Sequence, residues 1–71
     1  MASNYEVEIT TRDRLLRAWE NSKELVRDFE NYAHEAQDDK QVSELFRKFA
    51  EDEGLHAAKL NEMLHQYQSR S

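Results

Sequence analysis

Residues 46–64 read FRKFAEDEGLHAAKLNEML, and this stretch combines a helical apolar pattern with two polar residues inside it. At about 100° per residue, Glu53 and His56 fall in the middle of the apolar stripe, whereas Glu51 points the opposite way. A buried carboxylate is unfavourable unless it is paired, protonated or bound to a metal. The stretch therefore predicts a helix whose core face carries a polar pair with a defined partner. The stripe consists of Val42, Leu45, Phe46, Phe49, Leu60, Met63, Leu64 and Tyr67.

The rest of the chain also permits long helices, because its 71 residues contain no proline and a single glycine. Periodicity predicts one helix over residues 11–37, opened by a capping box of Thr10 and Asp13, and a second over residues 39–67. The pattern breaks at QDDK, residues 37–40, and so short a connection predicts an antiparallel hairpin. Residues 1–10 are predicted to form an extended arm, and residues 68–71 a frayed tail. The stripe of the first helix consists of Leu15, Ala18, Ser22, Leu25, Val26, Phe29, Tyr32, Ala33 and Ala36.

A chain of this length needs stabilisation beyond its own core. Small domains commonly rely on disulfides, a metal or a partner, and the absence of cysteine removes the first of these. Two helices cover each other poorly, and the apolar width here includes Trp19 and several Phe and Tyr side chains. We therefore predict that two hairpins related by a two-fold axis form a four-helix bundle, as a homodimer or a higher homo-oligomer.

Charge and motif content exclude several classes of protein. A net charge of −5 argues against nucleic-acid binding, which selects for a basic face. No apolar run approaches the roughly 20 residues that span a bilayer, and no signal-peptide core is present, so we expect a cytoplasmic protein without a membrane partner. No serine–histidine–acid set or glycine-rich phosphate loop occurs, so no catalytic residue or organic-cofactor site is predicted.

Glu53 and His56 have the spacing of metal ligands. Residues three apart on a helix lie one above the other, so a carboxylate oxygen and an imidazole nitrogen can converge on one point. An inward Glu-x-x-His is the ligand pair of carboxylate-bridged metal bundles, and a two-fold axis would supply a second pair. Two carboxylates and two imidazoles can hold one zinc ion, or begin a two-metal iron or manganese site. The alternative is a hydrogen-bonded Glu–His pair that sets helix register without metal.

Residues 46–64 resemble the second helix of the ferritin-like superfamily, of the rubrerythrin and encapsulated-ferritin type. In that pattern an inward Glu-x-x-His is followed by alanine and a leucine-rich turn, as at Glu53, His56, Ala57 and Leu60. ENSKELVRDFENYAHEA, residues 20–36, resembles the first helix of the same hairpin. The resemblance spans residues 12–66 and implies a ferritin-like four-helix bundle with a divalent metal, iron ahead of zinc or manganese. It also implies a role in iron oxidation, peroxide reduction or iron storage.

One position departs from the family pattern. Each hairpin of that family normally contributes a further glutamate from its first helix, but the inward residue opposite Glu53 is Ser22, while Glu20 and Glu24 lie on the outer face. This replacement removes two of the six ligands expected in a dimer. Two hypotheses follow: a small metal-binding protein that handles iron or a similar ion, or a non-catalytic helical bundle without a competent metal centre. The sequence leaves open whether the chain is an enzyme.

Overall fold

The computed structural model describes the backbone of residues 10–70 and the side chains of residues 10–67. Two helices fill this range, α1 at Thr11–Glu35 and α2 at Lys40–Arg70, with no strand among the described residues. Contacts between residues 22 and 53 and between residues 33 and 43 show that the helices run antiparallel. The predicted all-α helical hairpin is confirmed. The predicted extended arm lies, apart from Thr10, outside the described residues.

The start of α1 is fixed by the predicted capping box. Thr10 is extended, with φ −82° and ψ 168°, and its Oγ1 accepts a hydrogen bond from the Asp13 N–H at 3.1 Å. The Thr10 N–H donates in turn to Oδ2 of Asp13 at 3.2 Å. These two bonds satisfy donors that a helix start otherwise leaves unpaired. The backbone N–H of Thr10, followed by its side chain and the nearby Arg12 and Arg17, holds the pKa of Asp13 below its ordinary value of 3.8.

A tight turn joins the helices and makes both shorter at this end than the predicted ranges of 11–37 and 39–67. α1 ends at Glu35, and the Asp39 N–H donates to the Ala36 carbonyl at 2.8 Å. Asp39 then caps α2, because its Oδ1 accepts from the Val42 N–H at 3.2 Å. At the other end α2 continues to Arg70, so residues 68–70 are helical where the sequence predicts a frayed tail. No proline or glycine is present in QSRS to end the helix.

The helices touch through small residues at a seven-residue spacing. In α2 the buried positions are Ser43, Ala50, Ala57 and Leu64, and Ser43 Oγ donates to the Ala33 carbonyl of α1 at 2.8 Å. Small side chains let two helices approach closely, and the seven-residue repeat keeps them on one line along the contact. The predicted stripes include Leu64 of α2 and both Ser22 and Ala33 of α1, which are buried, but they omit Ser43, Ala50 and Ala57.

Six large side chains of the two predicted stripes form an exposed surface, which we call the front face. On α1 they recur at seven-residue spacing, as they do on α2, and ring contacts join the two sets: Tyr32 to Phe46 at 5.4 Å and Phe29 to Phe49 at 5.7 Å. Leu64, 3% exposed, is the one large hydrophobic side chain among residues 10–67 that is buried. A single layer of two helices thus leaves its apolar side uncovered. The front face comprises Leu25, Tyr32, Val42, Leu45, Phe49 and Met63, which are between 36% and 49% exposed.

The opposite side of the hairpin is charged. Its groove is lined by Glu30, His34, Arg47 and Glu51 around the small residues at the helix contact. Trp19, predicted to be a core or interface aromatic, is half-buried, and Lys23 Nζ lies 3.8 Å above its ring. The hairpin therefore has one apolar and one polar side. Neither described helix has the length and apolar character needed to cross a membrane.

Candidate metal centre

The candidate site lies at mid-length of the hairpin. Glu53 and His56 are close to the middle of α2, which spans Lys40–Arg70, and Ser22 is close to the middle of α1, which spans Thr11–Glu35. The antiparallel arrangement brings these two midpoints to the same level. The site is thus supported by two or more helical turns on every side, which holds its backbone rigid.

Ser22 and Glu53 are joined by a short hydrogen bond across the helix contact. Ser22 is only 6% exposed, and its Oγ lies 2.7 Å from Oε2 of Glu53. Because an ionised carboxylate only accepts, the hydroxyl donates. At this length the bond is in the range of charge-assisted O–H···O⁻ contacts. The bond ties one oxygen of Glu53 to α1 and leaves the other free to face a different neighbour.

That neighbour is His56. Its Nδ1 lies 3.3 Å from Oε1 of Glu53, and the Glu53 side chain is 17% exposed. His56 occupies the same seven-residue row as Phe49 and Met63, and its side chain is 66% exposed. Its predicted core position is therefore wrong for a single hairpin. The imidazole lies on the front face, and only a partner packed on that face could bury it.

The structure brings together all three residues that the sequence places at this level, in the order Ser22, Glu53, His56. The hydrogen bond between Ser22 and Glu53 was not predicted, although the shared level and face of the two residues were a usable signal. Glu20 and Glu24, assigned to the outer face, are exposed. Within the described part of the chain, no group of three or more His, Cys, Asp or Glu side chains could hold a metal ion. One hairpin therefore supplies two candidate ligands, which is half of a four-ligand site.

Two-iron and single-ion centres differ in the ligands that they require. Di-iron bundles take a glutamate from each of two helices and a Glu-x-x-His from each of the other two. Ser22, a neutral hydroxyl, lies where α1 reaches Glu53, so the described residues do not fit a two-iron set. Two carboxylates and two imidazoles from a pair of hairpins do fit a single divalent ion, since such N and O ligands suit zinc, iron and manganese.

Comparison with known proteins bears on the fold and the family. No curated protein and no solved structure gave a significant match to the chain. The family model of rubrerythrin matches residues 13–71, a range that includes all of α2, α1 from its third residue and all three residues of the candidate site. This match confirms the resemblance that the Glu-x-x-His helix suggested. The chain belongs to the rubrerythrin family.

Proposed function

We propose that two copies of this chain pack through their front faces into a ferritin-like four-helix bundle and bind a divalent metal ion between them. The ligands are Glu53 and His56 of both copies, and iron is preferred over zinc or manganese on the basis of the family. The observation that carries the proposal is one Glu–His ligand pair, half of a four-ligand set, at the centre of an exposed apolar face.

The uncovered front face supports a second copy as the occupant. Six large apolar side chains on it remain more than a third exposed, and covering that fraction is worth about a third to a half of the roughly 1.5–3 kcal/mol gained by burying a fully exposed side chain of this kind. Exposed apolar patches of this extent mark interaction surfaces. A two-fold axis through the middle of the hairpin gives the two copies the largest overlap, and it also brings their Glu53–His56 pairs to one level. One arrangement therefore covers the face and completes the ligand set.

Electrostatics supports a cation at that level. Packing two front faces together would bring two Glu53 carboxylates close to each other in a region shielded from water. Like charges brought together in this way are unfavourable, whereas a divalent ion between them neutralises both. The His56 side chain is 66% exposed on the front face, so its imidazole can present a ring nitrogen to a metal there. The ion would supply Lewis-acid or redox chemistry, which suits the iron-handling or oxidase roles of the family.

A second candidate function rests on a different observation. Both oxygens of Glu53 already have partners within one hairpin, namely Ser22 Oγ and His56 Nδ1. A carboxylate satisfied in this way needs no metal to remain half-buried. On this alternative, the chain is a non-catalytic helical bundle whose polar pair sets the register of the helices.

The two functions differ in metal content and in the effect of a chelator. We would purify the protein without chelator or affinity tag and measure metal per chain by plasma mass spectrometry, with mass by light scattering. The double variant Glu53→Ala/His56→Ala should lose the ion. Glu24→Ala/His34→Ala, which changes an exposed Glu–His combination away from the front face, should retain it. A protein that stays dimeric and metal-free after reconstitution with iron, zinc and manganese would contradict metal binding and support the alternative.

A further inference from the structure

We infer that Ser22 limits the dimer to one metal ion, because its hydroxyl occupies the position from which a two-ion centre draws an additional carboxylate. This inference rests on the proposed function. It begins from the 2.7 Å contact between Ser22 Oγ and Glu53 Oε2, which makes Ser22 the side chain of α1 that reaches Glu53. Among the described residues no further His, Asp or Glu joins Glu53 and His56 in a cluster.

The hydrogen bond itself opposes a bridging role for Glu53. A carboxylate that bridges two ions must offer one oxygen to each of them. Here Oε2 accepts the Ser22 hydroxyl, a buried donor that would be left unpaired if the oxygen turned to a metal. Oε1 lies 3.3 Å from Nδ1 of the exposed His56, a longer contact than the one at Oε2, so it is the oxygen more readily given to a metal. Glu53 is therefore held as a ligand through one oxygen.

The charge of the site also indicates one metal ion per dimer. Two Glu53 carboxylates neutralise one divalent ion, and two neutral imidazoles add ligand atoms but no charge. A second divalent ion would bring two more positive charges, and Ser22 supplies no anion to balance them. Uncompensated charge in a site shielded from water is strongly unfavourable. A carboxylate at position 22 in each copy would restore that balance, and it would stand within reach of Glu53.

The test is the number of ions per chain in three proteins, measured with Zn²⁺ by native mass spectrometry and isothermal titration. The native chain should bind about half an equivalent, and Ser22→Asp about one equivalent, since it adds one carboxylate per hairpin. Ser22→Asn, which has the shape of aspartate without its charge, should stay at about half an equivalent. Before Zn²⁺ is added, Ser22→Asp should also melt at a lower temperature than Ser22→Asn, because two carboxylates then face each other, and Zn²⁺ should remove that difference.

The measured stoichiometries distinguish a failure of this inference from a failure of the proposed function. One equivalent in the native chain, or half an equivalent in a folded Ser22→Asp, would overturn the inference and leave the proposed function standing. No bound Zn²⁺ in the native chain would overturn the proposed function, and the inference with it. If circular dichroism shows Ser22→Asp unfolded, the native stoichiometry decides alone, because one equivalent there contradicts the inference and half an equivalent supports it.

Discussion

Two buried serines bridge the same pair of helices at different levels, and they are used differently. Ser43, near the turn, is 3% exposed and donates to the Ala33 carbonyl at 2.8 Å; Ser22, at mid-length, is 6% exposed and donates to a Glu53 carboxylate oxygen at 2.7 Å. The first bond joins a side chain to neutral backbone and stabilises the hairpin. The second positions an ionisable group that borders an uncovered face. A similar local device thus serves packing at one level and a candidate site at the other.

The surroundings of the two serines also differ, since aromatic rings lie near Ser43 and a polar site lies near Ser22. Near the turn, aromatic rings contact each other across the helices, and the Phe29 ring lies 6.1 Å from that of Phe46 and 5.7 Å from that of Phe49. At mid-length the helix contact is made of small residues, and His56 projects from it with its side chain 66% exposed. The turn end therefore has ring contacts that stabilise the isolated hairpin, although Tyr32 and Phe49 remain 45% and 40% exposed, whereas the middle has a polar site in their place.

The largest expected effect comes from removing an aromatic ring at the turn end. Phe46→Ala removes a half-buried ring that stacks on Phe29 and contacts Tyr32, and we expect a loss of about 3 kcal/mol in the free energy of unfolding. Urea denaturation of chelator-treated protein, at one fixed chain concentration, measures it. The loss should be the same with and without added metal. A loss below about 1 kcal/mol would mean that the aromatic cluster does not carry the stability of this end.

The next effect sharpens the contrast between the serines. Ser22→Ala removes the donor that orients Glu53, and we expect it to weaken Zn²⁺ binding about tenfold, as loss of a hydrogen bond behind a metal ligand commonly does. Ser43→Ala, the matched control, should leave Zn²⁺ affinity unchanged and lower only the free energy of unfolding, by about 1 kcal/mol. Isothermal titration and urea denaturation of both variants separate the two roles. Equal Zn²⁺ affinities would show that the serines do not differ in function.

The parts of this molecule that are set locally could be predicted from the sequence. The Thr10–Asp13 capping box and the helical hairpin follow from residue spacing and hydrogen-bond chemistry within a few positions. The helix contact was harder, because Ala50, Ala57 and Ser43 carry little hydrophobic signal and are selected for size. The exposure of His56 could not be read from periodicity, since apolar and polar residues in one row look alike whether a neighbouring helix or a second copy covers them. Glu53 and His56 can be identified from their chemistry, whereas the hydrogen bond between Ser22 and Glu53 depends on how closely the two helices approach, which spacing along the chain does not set.

The smallest expected effect concerns the exposed pair of Thr10 and Asp13 rather than the buried contact of Ser22 with Glu53. Thr10 and Asp13 form the capping box at the start of α1, and the backbone N–H of Thr10 is the main cause of the lowered pKa of Asp13. A group whose pKa is lower in the folded state stabilises the fold above its ordinary pKa of 3.8, and that contribution disappears as the pH falls through the lower, folded value. The native chain should therefore melt slightly above Asp13→Asn at neutral pH, and the difference should shrink only below about pH 4. Melting curves of chelator-treated protein between neutral pH and about pH 2 test this. The range must extend so low because the pKa of Asp13 in the folded state lies below its ordinary value of 3.8. A difference that already shrinks near pH 6 would assign the change to histidine rather than to the cap.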